Sequence, residues 1–342
     1  MPAFEIPSRM RALVLHAYGE LDKLALEERA VPRPQAGHVL IRMHASPINP
    51  SDAAFLAGVY SRKALPVVPG FEGSGVVVAA GNGWYGKLLL GRRVACVAAN
   101  EGDGTWAEYV VASALTCIPL KRAVSLEQGA MHLVNPMTAW LLMAEAERSH
   151  LRAIVQTAAA GALGKMIVRL AQQRGVATIN IVRREEQAAT LRHLGATWVL
   201  NGAEKDFEAR LFEACRALKP RLAFDAVGGE LTGKVLGAMP NGARLISYGA
   251  LEQKPLTLDP RWFIAAGKSI EGFQLGRAMS RLRLPARLRA VRNVRQLLTC
   301  ELQSDIQARL PLEEAVQALQ LYLQNMSAGK VLLLMNRGPG YE

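Results

Sequence analysis

Cysteine is scarce in this 342-residue chain: Cys96, Cys117, Cys215 and Cys300 lie far apart and form no C-x-x-C pair. That spacing excludes a zinc ribbon and a disulfide framework, so the four thiols are expected to be reduced and structural. Long apolar runs are also missing. No segment approaches the roughly 20 uninterrupted apolar residues needed to cross a bilayer, and MPAFEIPSRMRALVLH at the start lacks the basic-then-apolar pattern of a secretory signal. A cytoplasmic protein without a membrane partner is the expectation. The histidines, His132 and His193 among them, form no H-x-x-x-H or Ser–His–Asp arrangement and read as structural. SAGKV lacks the upstream glycine of a P-loop.

Half of the composition is apolar, and a chain of this length and character buries more than one core, so two domains are expected. The formal charge of +12 is spread along the chain, with concentrations at Arg183–Arg184 and in GRAMSRLRLPARLRAVRNVR, residues 276–295. The second spaces its basic residues like the wet face of a helix whose apolar face is Leu282, Leu284, Leu288 and Val291. It reads as a solvated face rather than a nucleic-acid surface, and the excess charge also suits anionic small molecules.

The first 120 residues break into short β segments, RALVLHAY, HVLIRMHASPI, GSGVVVAAG, GRRVACVAA and WAEYVVASA, separated by Pro and Gly. Such a series predicts a compact β domain over 1–124. SLEQGAMHLVNPMTAWLLMAEA then reads as one helix with Ser125 as N-cap. Beyond it strands alternate with helices: AIVQTA, ATINIV, TWVLN, LAFDAV and ARLISYG are the strands. Alternation of this kind predicts an α/β domain, a Rossmann-type doubly wound parallel sheet, over 125–280. The last helix and strand, within 281–342, would return to the first domain.

The stretch AAAGALGK, residues 158–165, follows a strand and opens a helix. It gives A-x-G-x-x-G on Ala159, Gly161 and Gly164, with Ala160, Ala162 and Leu163 between. In that context backbone N–H groups and the positive end of the helix can cradle a diphosphate, and Gly161 lets it approach closely. Alanine at the first position costs little if its φ stays negative. The bland alternative is tight helix-on-sheet packing. One strand later, where an NAD site keeps a carboxylate, stand Arg183 and Arg184. A guanidinium grips a 2′-phosphate that a carboxylate would repel, so NADPH is expected over NADH.

PINPSDAAFLAGVY, PGFEGSGVVVAAG, NPMTAW, the glycine turn, FDAVGG and ISYGAL occur in the order and spacing of the zinc-independent medium-chain dehydrogenase/reductase superfamily, which the chain resembles over nearly its whole length. The resemblance implies a GroES-like catalytic domain with the dinucleotide domain. Within the superfamily the chain resembles mitochondrial-type NADPH-dependent trans-2-enoyl thioester reductases and, through GVYSRKALPVVPG, quinone oxidoreductases. The zinc enzymes of the family place Cys near position 49 and His at the GFEG position; here they are Asn49 and Phe71, so no metal is expected. Asp52 and Glu72 then read as structural or cleft-lining.

The resemblance puts the enoyl reductase tyrosine at Tyr60. A phenol with a pKa of about 10 can donate a hydrogen bond to the charge developing on a thioester oxygen and can supply a proton. The alternative for Tyr60 is an aromatic that covers a turn. Asn49 would orient the nicotinamide or the substrate carbonyl, or form a turn before Pro50. Asn135 and Thr138 match cofactor contacts or cap the turn at Pro136. Tyr248, Gly249, Ala250 and Leu251 match the nicotinamide-side loop. By resemblance only, Phe273, Gln274, Leu275 and Lys330 match further cofactor contacts, although Lys330 reads equally as an exposed turn lysine. The expected activity is NADPH-dependent reduction of the C=C bond of enoyl-CoA or enoyl-carrier thioesters. Quinone or enone reduction is the alternative, and a non-catalytic NADPH-binding redox sensor or RNA-binding protein is a reading of another class. A small-molecule substrate, no nucleic acid and a homodimer, the family's common state, are the partner expectations.

Overall fold

The computed structural model describes residues 4–19, 23–60, 62–99, 102–297 and 301–335; Cys300 lies outside them. Two units divide the chain: Met1–Val134 with Ser304–Glu342, and Asn135–Gln303. These limits differ from the 124/125 and 280/281 boundaries read from the sequence. The short helix Leu126–Ala130 lies on the strands of the first unit. The helix Leu284–Leu297 buries Ala290 and Val294 in the same core as Ile154, Phe224 and Ile246, which keeps 281–303 in the second unit.

In the first unit, β1 (Arg9–Leu15) and β2 (Leu24–Ala30) pair antiparallel. They are followed by β3 (His38–Pro47), β4 (Glu72–Ala80), β5 (Arg93–Val97), β6 (Tyr109–Ser113) and β7 (Ile118–Pro119). The second unit contributes β8 (Ala153–Gln156), β9 (Ala177–Val182), β10 (Trp198–Asn201), β11 (Leu222–Asp225), β12 (Arg244–Ser247) and β13 (Ser269–Gly272). Then β14 (Ile306–Pro311) and β15 (Lys330–Leu334) return to the first unit. Its main sheet runs β14-β15-β3-β4-β5-β7, with β6 also on β3. Alternating Val39, Ile41 and Met43 of β3 reach the core around fully buried Trp106. Gly73 and Gly75 let β4 lie close on β3, because a Cβ at either would strike the β3 backbone at Ala45 or Arg42.

The second unit is a wholly parallel sheet in the order β10-β9-β8-β11-β12-β13. Strand order reverses between β8 and β11, which defines the switch point where doubly wound folds bind ligands. Successive residues of β8 serve opposite faces: Ile154 packs in one core, Val155 in the other. The helix Ala162–Gln173 buries Met166, Ile167, Leu170 and Ala171, a stripe at helical spacing. It ends before Gly175, whose φ of +65° suits a helix stop.

The expected single helix after Ser125 is two, Leu126–Ala130 and Val134–Arg148. Ser125 does cap the first, accepting the Gln128 N–H at 3.1 Å. At the start of the second, the Leu133 and Val134 amides donate at 3.1 and 2.9 Å to one carboxylate oxygen of Glu72, which β4 brings there. Pro136 in the first turn lacks only an N–H the helix would leave unpaired.

Candidate active site

The glycine turn leaves β8 at the switch point. Its left-handed residue is Ala158, with φ of +48°, one place before Ala159. Ala159 keeps negative φ, is fully buried and donates its N–H to Ile181 O at 3.2 Å. A Cβ at Gly164 would collide with the Ala159 backbone, so this glycine serves helix-on-strand packing. A Cβ at Gly161 would meet only the Ala158 carbonyl, at 3.2 Å, and otherwise open space. The first i→i−4 bond of the following helix is from Lys165 N–H to Gly161 O; the amides of Ala162, Leu163 and Gly164 precede it and face the turn unclaimed by the helix ladder. Ala160 is buried beneath. Donors, dipole and open space fit a diphosphate.

Beyond β9, Arg183 is exposed, and Arg184 is the N-cap of the helix Glu185–His193. The adjoining carboxylate of Glu185 is turned away onto Arg192, 2.5 Å distant. At the other side of the switch point Tyr248 follows β12 and donates its N–H to Asp225 O at 2.8 Å, while Leu251 N–H reaches Ala226 O at 3.0 Å. Gly249 sits where a Cβ would press on the Ala226 carbonyl, and Ala250 is exposed. Burial, with Asp225 nearby, pushes the Tyr248 phenol well above its usual range. Phe273 ties to Ser247 O at 2.7 Å, and the Gln274 side chain caps the helix Leu275–Arg281 by accepting Arg277 N–H at 2.6 Å. Asn135 and Thr138 lie within the first turns of Val134–Arg148, with Thr138 buried, rather than in a turn at Pro136.

Asp225, within FDAVGG, organises this end of the unit, a role the sequence motif does not state. Its carboxylate accepts the Thr157 and Thr232 hydroxyls at 2.6 and 2.7 Å and the Val227 and Gly228 amides at 3.1 and 3.2 Å. Thr157 is the first residue beyond β8. An aspartate closing an apolar strand and followed by glycines was the available signal.

In the first unit, four groups from three separate stretches of sequence meet in a buried cluster. Asn49 is 1% exposed. Its side-chain N–H reaches Glu72 Oε1 at 3.1 Å, its side-chain oxygen accepts from Lys330 Nζ, and its backbone N–H donates to Asp52 Oδ2 at 2.8 Å. Lys330 is likewise 1% exposed, also donates to Ile48 O at 3.4 Å, and lies over the Tyr322 ring. The alternative of an exposed turn lysine is therefore wrong: strand β15 carries this side chain inward. Burial holds its ammonium down to about 8, against the pull of Glu72 and Asp52. Burial pushes Asp52 up to about 7 and Glu72 above the usual carboxylate range. Among the described residues Asp52 Oδ1 has no side-chain partner. Asp52 and Glu72 are structural in this arrangement, and Asn49 spends both ends of its amide inside it. The network was missed because nothing in KVLLL distinguishes a buried lysine from one at a strand edge.

Tyr60 stands apart from that cluster. It follows the helix Pro50–Leu56, is 50% exposed, and sets its ring edge-on to Phe71 at 5.9 Å. Phe71 in turn packs edge-on against Phe55. The aromatic row fixes the ring, and among the described residues the phenol oxygen has no hydrogen-bond partner. Cys96, Cys117 and Cys215 are buried free thiols, raised above their ordinary range by burial, which makes them inert.

Comparisons with known proteins agree with this architecture. Residues 35–122 match the family described as alcohol dehydrogenase GroES-like domain, and residues 162–291 match the one described as zinc-binding dehydrogenase. The mitochondrial enoyl-[acyl-carrier-protein] reductase of Bos taurus is 33% identical over 79% of this chain and 73% of its own length. That of Xenopus tropicalis is 31% identical over 95% of both chains. Among solved structures, a provisionally named NADPH:quinone reductase of Mesorhizobium loti superposes with a TM-score of 0.90, at 37% identity over 97% of this chain and all of that one. A mycobacterial protein solved in complex with NADPH has a TM-score of 0.79, at 26% identity over 95% of this chain and all of its own. A GroES-like β unit and a doubly wound unit with its glycine turn at the switch point are the parts of a two-unit oxidoreductase. The chain belongs to the medium-chain dehydrogenase/reductase family.

Proposed function

We propose that the protein reduces the activated C=C bond of a 2-enoyl thioester with NADPH and without a metal. The observation that carries this reading is Tyr60: a phenol pinned by Phe71, half-exposed, whose hydroxyl is committed to nothing else among the described residues. The cofactor is a nicotinamide dinucleotide, held at its diphosphate by the amides of Ala162, Leu163 and Gly164. Exposed Arg183, with Arg184, receives the 2′-phosphate that makes it NADPH. Bound there, NADPH supplies a hydride to the β-carbon of the enoyl group. Tyr60 donates a hydrogen bond to the thioester oxygen, where negative charge develops, and is the proton source for the α-carbon. Asn49 and Phe71 offer neither thiolate nor imidazole at the positions where zinc enzymes of the family hold metal, so polarisation of the carbonyl falls to the phenol.

Kinship to the Mesorhizobium loti protein, whose given name is that of a quinone reductase, favours quinone reduction as a second reading. One comparison separates the two: NADPH oxidation with a crotonyl thioester, a simple enone and a quinone, for wild type and Tyr60→Phe. The thioester reading expects thioester turnover that falls about 10²-fold in the variant, the scale of one general acid. Turnover of quinone alone, indifferent to Tyr60→Phe, would reject it. We also propose a homodimer formed along the edge strand β13, where Ser269, Glu271 and Gly272 are exposed.

A further inference from the structure

Between Gly272 and Cys300 the sequence holds seven arginines and no aspartate or glutamate. The acid just before, Glu271, is already held by Arg244 at 3.2 Å. Among the described residues none of the seven is in an ion pair, whereas Arg9, Arg11, Arg192, Arg210 and Arg309 each have a carboxylate. The segment starts directly after Phe273 and Gln274, so it leaves from the carboxyl ends of β12 and β13, the side of the sheet where ligands of doubly wound folds lie.

The helix Leu284–Leu297 turns Ala290 and Val294 into the core. Its other side carries Leu284 and Leu288, one helical turn apart and 63% and 60% exposed, with exposed Arg289 and Arg292; Arg281 and Arg283 flank its start. Two bare leucines ringed by unpaired guanidiniums select among anionic partners. A nucleic-acid backbone answers the arginines but offers the leucines nothing. A bilayer needs a broad apolar face, and this helix has spent its broad face on the core. An acidic helical protein with an apolar notch satisfies both, since aliphatic anchors within a charged rim are what such interfaces use.

We propose that the outer face of residues 281–292 docks an acidic carrier protein that delivers the enoyl thioester, with its carboxylates against Arg281, Arg283, Arg289 and Arg292 and its apolar notch over Leu284 and Leu288. This rests on the thioester reading above. The surface steers the carrier and tethers it to the unit that holds the dinucleotide turn; it takes no part in hydride or proton transfer.

The test loads the same crotonyl chain on a bacterial acyl carrier protein and on coenzyme A, and compares wild type with Arg281→Glu/Arg283→Glu/Arg289→Glu/Arg292→Glu and with Leu284→Ser/Leu288→Ser. The expected result for both variants is a KM for the carrier substrate raised about tenfold or more, kcat kept, and a KM for crotonyl-CoA within about twofold. Retained CoA turnover shows that each variant is folded. An unchanged carrier KM overturns the proposal, and so does an equal rise for both carriers, which would assign the arginines to the phosphates of coenzyme A. If wild type reduces neither thioester, the function reading has failed; titration of the crotonyl carrier onto the NADPH-loaded protein then decides on the docking face, with binding that is absent or indifferent to the arginine variant overturning it.

Discussion

Replacing Lys330 by methionine keeps the length of the side chain and removes its charge. In the wild type this ammonium holds Asn49 and compensates Glu72 and Asp52, which share its burial. Breaking a buried ion cluster from one side costs about 3–5 kcal/mol, because the remaining charges are left uncompensated. Here the carboxylates can relieve the cost by taking up protons. Asp52 already stands at about 7 with the lysine present, and without it both carboxylates move further up. A carboxylate whose folded pKa lies above its unfolded value, about 4, destabilises the fold progressively as pH rises from that unfolded value to the folded one. The deficit of Lys330→Met relative to wild type should therefore be small near pH 5 and have opened by pH 8, above the wild-type Asp52 value of about 7, where the wild type ionises Asp52 with about half of its ammonium still charged and the variant resists ionisation. Urea denaturation at both pH values, followed by tryptophan emission, measures it; Trp106 is fully buried in this unit and reports its unfolding. Adding Glu72→Gln should recover part of the loss at pH 8, as coupled neighbours do. An equal deficit at both pH values, or one below about 1 kcal/mol, would mean that the lysine does not balance these carboxylates.

The cofactor site gives two more expectations. Arg183→Ala/Arg184→Ala should raise the KM for NADPH by about 10–100-fold, the worth of charge-assisted phosphate bonds, and leave NADH nearly unaffected; equal losses for both coenzymes would remove the phosphate role. The two glycines of the turn should separate stability from binding. Gly164→Ala meets the Ala159 backbone and should lower stability by about 1–3 kcal/mol, while Gly161→Ala, whose methyl asks only a small shift of the Ala158 carbonyl, should nearly keep the melting temperature and weaken NADPH binding by calorimetry. Sedimentation equilibrium should return a dimer, and a monomer at micromolar concentration would dismiss pairing along β13.

Much of the second unit was legible because its signals are local. An apolar run, a turn with Gly161 and Gly164, and a stripe of Met166, Ile167, Leu170 and Ala171 lie within some twenty residues, and periodicity reads them directly. Alanine at position 159 was acceptable on the condition of a negative φ, and the left-handed residue is its neighbour Ala158. Strand β2 escaped because Glu27, Glu28 and Arg29 give it the polarity of a loop, though it pairs with β1 along its length. The break in the helix after Ser125 was illegible for a different reason: the group that starts the second helix is Glu72, half the unit away in sequence. Lys330 shows the same limit, since only the pairing of β15 with β3 tells which way its side chain points.

That pairing also constrains how the protein is made. Lys330 and Ile48 are 282 residues apart, so on the ribosome the Ala45–Pro47 end of β3 must wait, one edge open, until residues 330–334 have been synthesised. The intervening nucleotide-binding unit, whose six strands all come from residues 153–272, can mature first. A premature stop a few codons before β15 would accordingly spare that unit and leave the GroES-like one with the Ala45–Pro47 end of β3 unpaired on one edge, two buried acids lacking their counterion, and a loose amide at Asn49.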